Sequence, residues 1–173
     1  AWRRPLYDAG LIGHYDEFNV GYGNISIRLH GSDQFVISGT QTGHIPQTSA
    51  KHFTRVRKAN IEDNTVHCVG PIQASSEALT HAALYSLSPK IAAVVHVHDR
   101  KLWQQHINRL PTTNAGVPYG TPDMAREFQR LWNSGDFSKV GIAVMAGHDE
   151  GLVSIGASLE TATMRMLELS GRI

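Results

Sequence analysis

Two histidines one residue apart, His96 and His98, close the run 91–98, which is otherwise apolar and rich in valine. Such a run fits a strand buried on both faces, and residues two apart in a strand point the same way. Both imidazoles would then leave one strand end side by side. Buried rings need partners, and neutral imidazole is a ligand for zinc and other divalent first-row metals. Taken alone, the pair fits two histidines hydrogen-bonded at a strand end at least as well. Its company shifts the balance. Glu77 opens a helical stretch that feeds directly into the histidine strand, and Gly147-His148 follows a second apolar run at 140–145. Glu77, His96, His98 and His148 could together fill four positions around one metal.

The elements that must position these residues can be read from periodicity and turn chemistry. A short helix is expected from Trp2 to about Leu11, ending near Gly13. Residues 24–29 and 34–38 read as paired strands around a turn at 30–33, with a third strand at 65–69. The helix from Ser76 and Glu77 runs to 87, with Ser75 and Ser76 suited to an N-cap, and leads to the strand ending at His98. A short helix is expected at 100–106, a proline-broken loop at 111–118, and a helix from Pro122 to 132. Strands at 140–145 and 152–155 should pair through the His148 loop. A last helix from Ser158 places Leu159, Ala162, Met166 and Leu169 on one face.

Several of these segments recur together in one known family. Gly23-Asn24-Ile25-Ser26, Ser38-Gly39-Thr40, Ser75-Ser76-Glu77 with His81, His96-Val97-His98, and Gly147-His148 ahead of Gly151-Leu152 match in order and spacing. On these motifs the chain resembles the class II aldolase/adducin family, whose better-known enzymes include fuculose-phosphate aldolase. The resemblance implies an α/β fold, a three-layer α-β-α sandwich with a largely antiparallel central sheet, spanning 1–173 as one domain. It also implies a homotetramer with active sites at subunit interfaces.

The same resemblance implies that His96, His98 and His148 bind a divalent metal, usually zinc in the aldolases, with Glu77 as fourth ligand or catalytic acid-base. The donor set also admits manganese, iron, cobalt or nickel. Asn24, Ser38, Gly39, Ser75 and Ser76 are placed around a substrate phosphate. Glycine lets backbone N–H groups approach an anion, and serines at a helix start add hydroxyl donors. The expected activity is reversible aldol cleavage of a sugar phosphate or related hydroxycarbonyl compound through a metal-stabilised enediolate. Dehydratase, epimerase and decarboxylase chemistry, or a non-catalytic adducin-like interaction role, are the alternatives. Glutamate at 77 argues against the epimerase branch, in which aspartate is expected.

Other features bound the reading. Glu77 could instead cap a helix beside its positive end, and His81, four residues on, is read as a core histidine. Asp99, Asp149 and Glu150 adjoin the metal histidines, and one of them could orient an imidazole. Two departures from the sugar-phosphate pattern concern the substrate. Gly21-Tyr22-Gly23 stands where a threonine commonly precedes Gly-Asn, and Gly116 aligns with a catalytic tyrosine, with Tyr119 nearby but out of register.

The 173 residues, 41% hydrophobic and 18% charged, suit one soluble domain with a real core. A net charge of +1 gives no reason to expect nucleic-acid binding, and the basic stretch 51–58 is read as a solvated face. No apolar run approaches the roughly 20 residues that span a bilayer, and the single Cys68 fits the reducing cytoplasm, packed as a small apolar side chain in its strand.

Overall fold

A seven-stranded sheet, every neighbouring pair antiparallel, runs through the middle of the molecule in the order β6-β5-β4-β3-β7-β9-β8. In chain order the elements are α1 (Arg3–Asp8), β1 (Gly13–Tyr15), β2 (Val20–Tyr22), β3 (Asn24–Arg28), β4 (Phe35–Ser38), β5 (Phe53–Asn60), β6 (Thr65–Val69), α2 (Ala78–Leu87), β7 (Ala93–His98), α3 (Arg100–His106), α4 (Pro122–Asn133), α5 (Asp136–Val140), β8 (Ile142–Val144), β9 (Gly151–Gly156) and α6 (Leu159–Ser170). β1 and β2 form a separate hairpin. This computed structural model describes residues 2–172, so the outermost residue at each end of the expected 1–173 domain lies outside the described residues.

Period-two alternation along the strands sorts side chains into two cores. Val94 of β7, with Phe35 and Ile37 of β4 and Val153 of β9, packs against Leu84 of α2, Phe128 of α4 and Phe137 of α5. The intervening Val95 and Val97, with Ile25 and Leu152, pack on the opposite side against Leu6 of α1, Leu102 of α3 and Met166 of α6. Helices therefore cover both faces and the three expected layers are present. Each such side chain contributes about 1.5–3 kcal/mol when fully buried. The helices start where their caps allow: Thr121 accepts from the Met124 N–H with Pro122 in the first turn of α4, and Ser158 accepts from the Thr161 N–H ahead of α6.

Some sequence expectations need correction. The first helix stops at Asp8 rather than near 11, because Gly10 turns left-handed at φ +70, and Leu11 and Ile12 run buried toward β1. Val140 belongs to α5; Gly141, at φ +71, ends that helix and only then does β8 begin. The helix expected from Ser76 starts at Ala78. The basic stretch 51–58 contains most of β5, with Thr54 and Val56 inward and Arg55 and Arg57 exposed. Cys68 is exposed rather than packed, because β6 forms the outer edge of the sheet. Among the described residues no helix is long and apolar enough to cross a membrane.

Candidate metal and substrate site

β7 is buried from Ala93 to Val97 and ends with His96 and the half-buried His98 on the same face. β9 lies beside it in a register that sets His98 opposite Gly151. The turn from β8 to β9 supplies the third ring: the His148 N–H donates to the Met145 carbonyl and the Gly151 N–H to the His148 carbonyl, at 3.1 and 2.9 Å. A side chain on Gly151 would collide with the His148 imidazole, so the missing Cβ is what lets that ring lie over the start of β9. His98 Nε2 is 3.0 Å from His96 Nε2 and 3.0 Å from His148 Nε2.

The protons on two of these rings are assigned by their other partners. His96 donates from Nδ1 to the Leu152 carbonyl at 3.0 Å, leaving a lone pair on Nε2. His98 Nδ1 is 3.1 Å from the Tyr15 hydroxyl, which itself donates to Glu150 Oε2 at 2.5 Å, so Nδ1 donates and Nε2 again carries a lone pair. Arg100 holds the other Glu150 oxygen at 2.9 Å. Burial keeps all three rings neutral near pH 7: it takes His98 down to about 3, with His148 adding to the effect, takes His148 to about 4, and takes His96 well below its ordinary value.

Lone pairs turned on one another repel unless a cation lies among them. Nitrogen ligands of a tetrahedral zinc stand about 3.3 Å apart by ordinary bond lengths, close to the separations here. Among the described residues, His96, His98 and His148 form the one group of three or more potential ligand side chains whose donor atoms converge in this way. Glu77 completes the picture. It precedes α2, is 4% exposed, and neither carboxylate oxygen has a hydrogen-bond partner; Oε1 lies 3.4 Å from His148 Nε2. Burial pushes its carboxyl up to about 7. A buried carboxylate without a partner is costly, and a cation held by the adjacent histidines would offset that cost. The residues present fit a divalent metal.

These side chains form one end of a cleft of about 100 Å³, which Asn24, Gly39, Ser75 and Ser76 also line. Ser38 does not reach the cleft wall; its hydroxyl accepts from the Ile25 N–H at 3.1 Å, behind the wall. The Arg3 guanidinium, buried, donates to the carbonyls of Thr42 and Ile45 at 2.7 and 2.6 Å, bracing the 39–45 loop from the rear. Of the three acids beside the histidines, only Glu150 reaches an imidazole's partner. Asp99 caps α3 at the Leu102 N–H, and Asp149 is exposed.

Sequence reasoning missed Tyr15 and gave the Tyr22 ring no role of its own; the β1–β2 hairpin carries both to the site, and Tyr22 stacks on His98 with ring centres 5.6 Å apart. Three-residue strands leave too short a pattern to reveal them. Tyr119, out of register in the sequence, has its ring centre 4.1 Å from that of His148 and remains 45% exposed.

Comparison with known proteins bears on this arrangement. Residues 9–171 match the class II aldolase and adducin N-terminal domain family. No curated protein matches the chain. Among solved structures, YgbL from Escherichia coli, a candidate aldolase/epimerase/decarboxylase, superposes with a TM-score of 0.69 at 20% identity, covering 99% of this chain and 83% of that one. L-fuculose-1-phosphate aldolase from Thermus thermophilus gives 0.69 at 18% identity, covering 99% and 86%. A sugar-phosphate aldolase from Thermotoga maritima gives 0.70 at 15% identity, covering 99% and 89%. At these identities the structural likeness is one of fold.

Proposed function

The chain belongs to the class II aldolase and adducin N-terminal domain family, and on that premise we propose that it is a divalent-metal-dependent lyase that cleaves a carbon–carbon bond in a phosphorylated hydroxycarbonyl compound. One observation carries the reading: three imidazole Nε2 atoms converge beside a buried carboxylate at the end of an open cleft. A purely structural site would be closed on all sides, whereas an open one leaves room for substrate oxygens.

His96, His98 and His148 would hold the divalent metal, which would supply Lewis acidity toward the substrate's oxygens. The chain's own residues do the rest. Glu77, buried beside these histidines, can take a hydroxyl proton and return one to carbon as the bond breaks. Tyr15 and Glu150 hold the His98 ring in one tautomer, and His96 is held likewise by the Leu152 carbonyl. Asn24, Gly39, Ser75 and Ser76 offer N–H and hydroxyl donors to the phosphate. Assembly as a homotetramer with interfacial sites is part of the same proposal; Phe18, 71% exposed on the hairpin turn beside Tyr15, supports it as an apolar residue suited to a neighbouring subunit.

The test is a turnover screen of the zinc-loaded and manganese-loaded protein against hydroxycarbonyl phosphates and their unphosphorylated counterparts. Two carbonyl-containing fragments from a phosphorylated substrate are expected. Loss of water or carbon dioxide, or epimerisation without cleavage, would replace the lyase reading with a dehydratase, decarboxylase or epimerase. No turnover with any metal would favour an interaction role.

A further inference from the structure

Four polar side chains on the α2 side of the sheet form a hydrogen-bonded row that runs out of the core and ends at the cleft. Asn24 and Ser26 are two apart on β3 and face the same way, opposite His96 and Val94 of β7. His81 reaches between them from α2: its Nδ1 is 2.6 Å from Ser26 Oγ and its Nε2 is 2.5 Å from Asn24 Oδ1. Tyr85, one turn further along α2, sets its hydroxyl 2.7 Å from the same Ser26 oxygen. Exposure is 0% for His81, 2% for Ser26, 3% for Tyr85 and 5% for Asn24. Nothing in the metal chemistry uses this row.

Its polarity follows from satisfying every group. The Tyr85 hydroxyl proton has Ser26 Oγ as its side-chain acceptor, so it donates there. Ser26, having accepted, gives its own proton to His81 Nδ1. A neutral His81 then carries its hydrogen on Nε2, which must meet the oxygen of the Asn24 amide and not its nitrogen. The reverse direction would leave the tyrosine proton without an acceptor inside the core. An imidazolium is disfavoured because burial takes His81 down to about 3.

We infer that Tyr85, Ser26 and His81 are positioning residues for Asn24, holding its amide with the oxygen toward the core and the NH2 group toward the cleft as a fixed donor for a phosphate oxygen of the substrate. The ligand named here rests on the phosphorylated-substrate reading proposed above; the orientation of the amide does not. A free asparagine amide presents either end to a ligand. One locked this way rewards an acceptor and repels a donor, so the chain contributes to selectivity from a helix that touches no substrate.

The test combines tautomer and affinity. Nitrogen-15 NMR of the purified protein, with the His81 signals identified by their loss in His81→Gln, is expected to show a neutral ring protonated on Nε2 from pH 5.5 to 8. A ring protonated on Nδ1, or an imidazolium, would overturn the inference. Tyr85→Phe keeps the ring and removes the proton that sets the direction. The two His81 tautomers should then mix, and affinity for inorganic phosphate, measured by calorimetry, should fall about twofold as about half the amides turn over. An unmixed Nε2–H ring in that variant would show that Tyr85 does not set the direction. Asn24→Asp keeps the acceptor facing His81 but replaces the donor with a negative oxygen, and should weaken phosphate binding by about tenfold or more. Equal affinity in wild type and Asn24→Asp would overturn the donor role. Wild-type protein that shows the Nε2–H ring yet binds no phosphate would refute the phosphorylated substrate and still uphold the orientation of Asn24.

Discussion

At Glu77 the balance between stability and chemistry is set by one side chain. Replacing it with glutamine keeps size and removes the proton carrier, so turnover should fall by about 100-fold, the usual scale for a general acid-base group; turnover at the wild-type rate would reduce Glu77 to a helix-end carboxylate. The same change should stabilise the metal-free protein at pH 8. With its folded pKa raised to about 7 from 4.5 by burial, Glu77 favours folding fully below about 4.5, and that contribution is lost as pH rises through 7. Glutamine removes the buried charge, and a gain on the order of 3 kcal/mol in urea unfolding of chelator-treated protein is expected, from about 1.4 kcal/mol per pKa unit. Tyr15→Phe should weaken zinc binding by about tenfold by releasing His98 Nδ1, the lower end for a partner that orients a ligand; competition against a chromogenic chelator measures it, and an unchanged affinity would count against the hydrogen-bonded assignment. His96, His98, His148 and Glu77 were legible in the sequence because each sits at an element end with a recognisable neighbour pattern. Tyr15 was not, since 83 residues separate it from the imidazole it touches.

The elements that were legible are those whose pattern is long or punctuated. α3 was expected at its observed bounds, α6 was announced by Ser158 and its apolar face, and the β3–β4 hairpin by its turn. β5 was hidden because its outward positions carry Arg55 and Arg57, so charge masked the alternation of Thr54 and Val56. The β1–β2 hairpin was hidden because its strands have three residues each, too few to show an alternation. Gly23 shows what that hairpin requires: it joins β2 to β3 at φ +75, and a Cβ there would meet Ile12 and the Leu11 carbonyl. Gly23→Ala should therefore cost about 2 kcal/mol or more, from left-handed strain plus the clash, read as a lower urea midpoint with an unchanged slope. It should also weaken phosphate binding, because Asn24 is the next residue. An unchanged midpoint would mean that the hairpin joins the sheet by another route.

The whole molecule gathers neutral histidines in its interior, and that fixes its response to acid. His81 and His98 are lowered to about 3 and His148 to about 4, so the unfolded chain, with ordinary imidazoles, takes up protons first. Their contribution to stability is complete above about pH 6.5 and is lost as pH falls toward 4 and 3. Glu77 works in the opposite sense, but one carboxyl is set against several rings. Melting temperatures of chelator-treated protein should therefore fall steadily from pH 6.5 to 4, and a flat profile would contradict the burial of these rings as neutral groups. Bound metal should be released in the same window, since its ligands must be deprotonated. The central claim is that His96, His98 and His148 hold one divalent ion at the end of the cleft. Elemental analysis of dialysed protein tests it most directly: about one divalent ion per chain is expected in the wild type and none in His98→Ala. Equal metal in both proteins, or none in the wild type after incubation with zinc, would contradict the account.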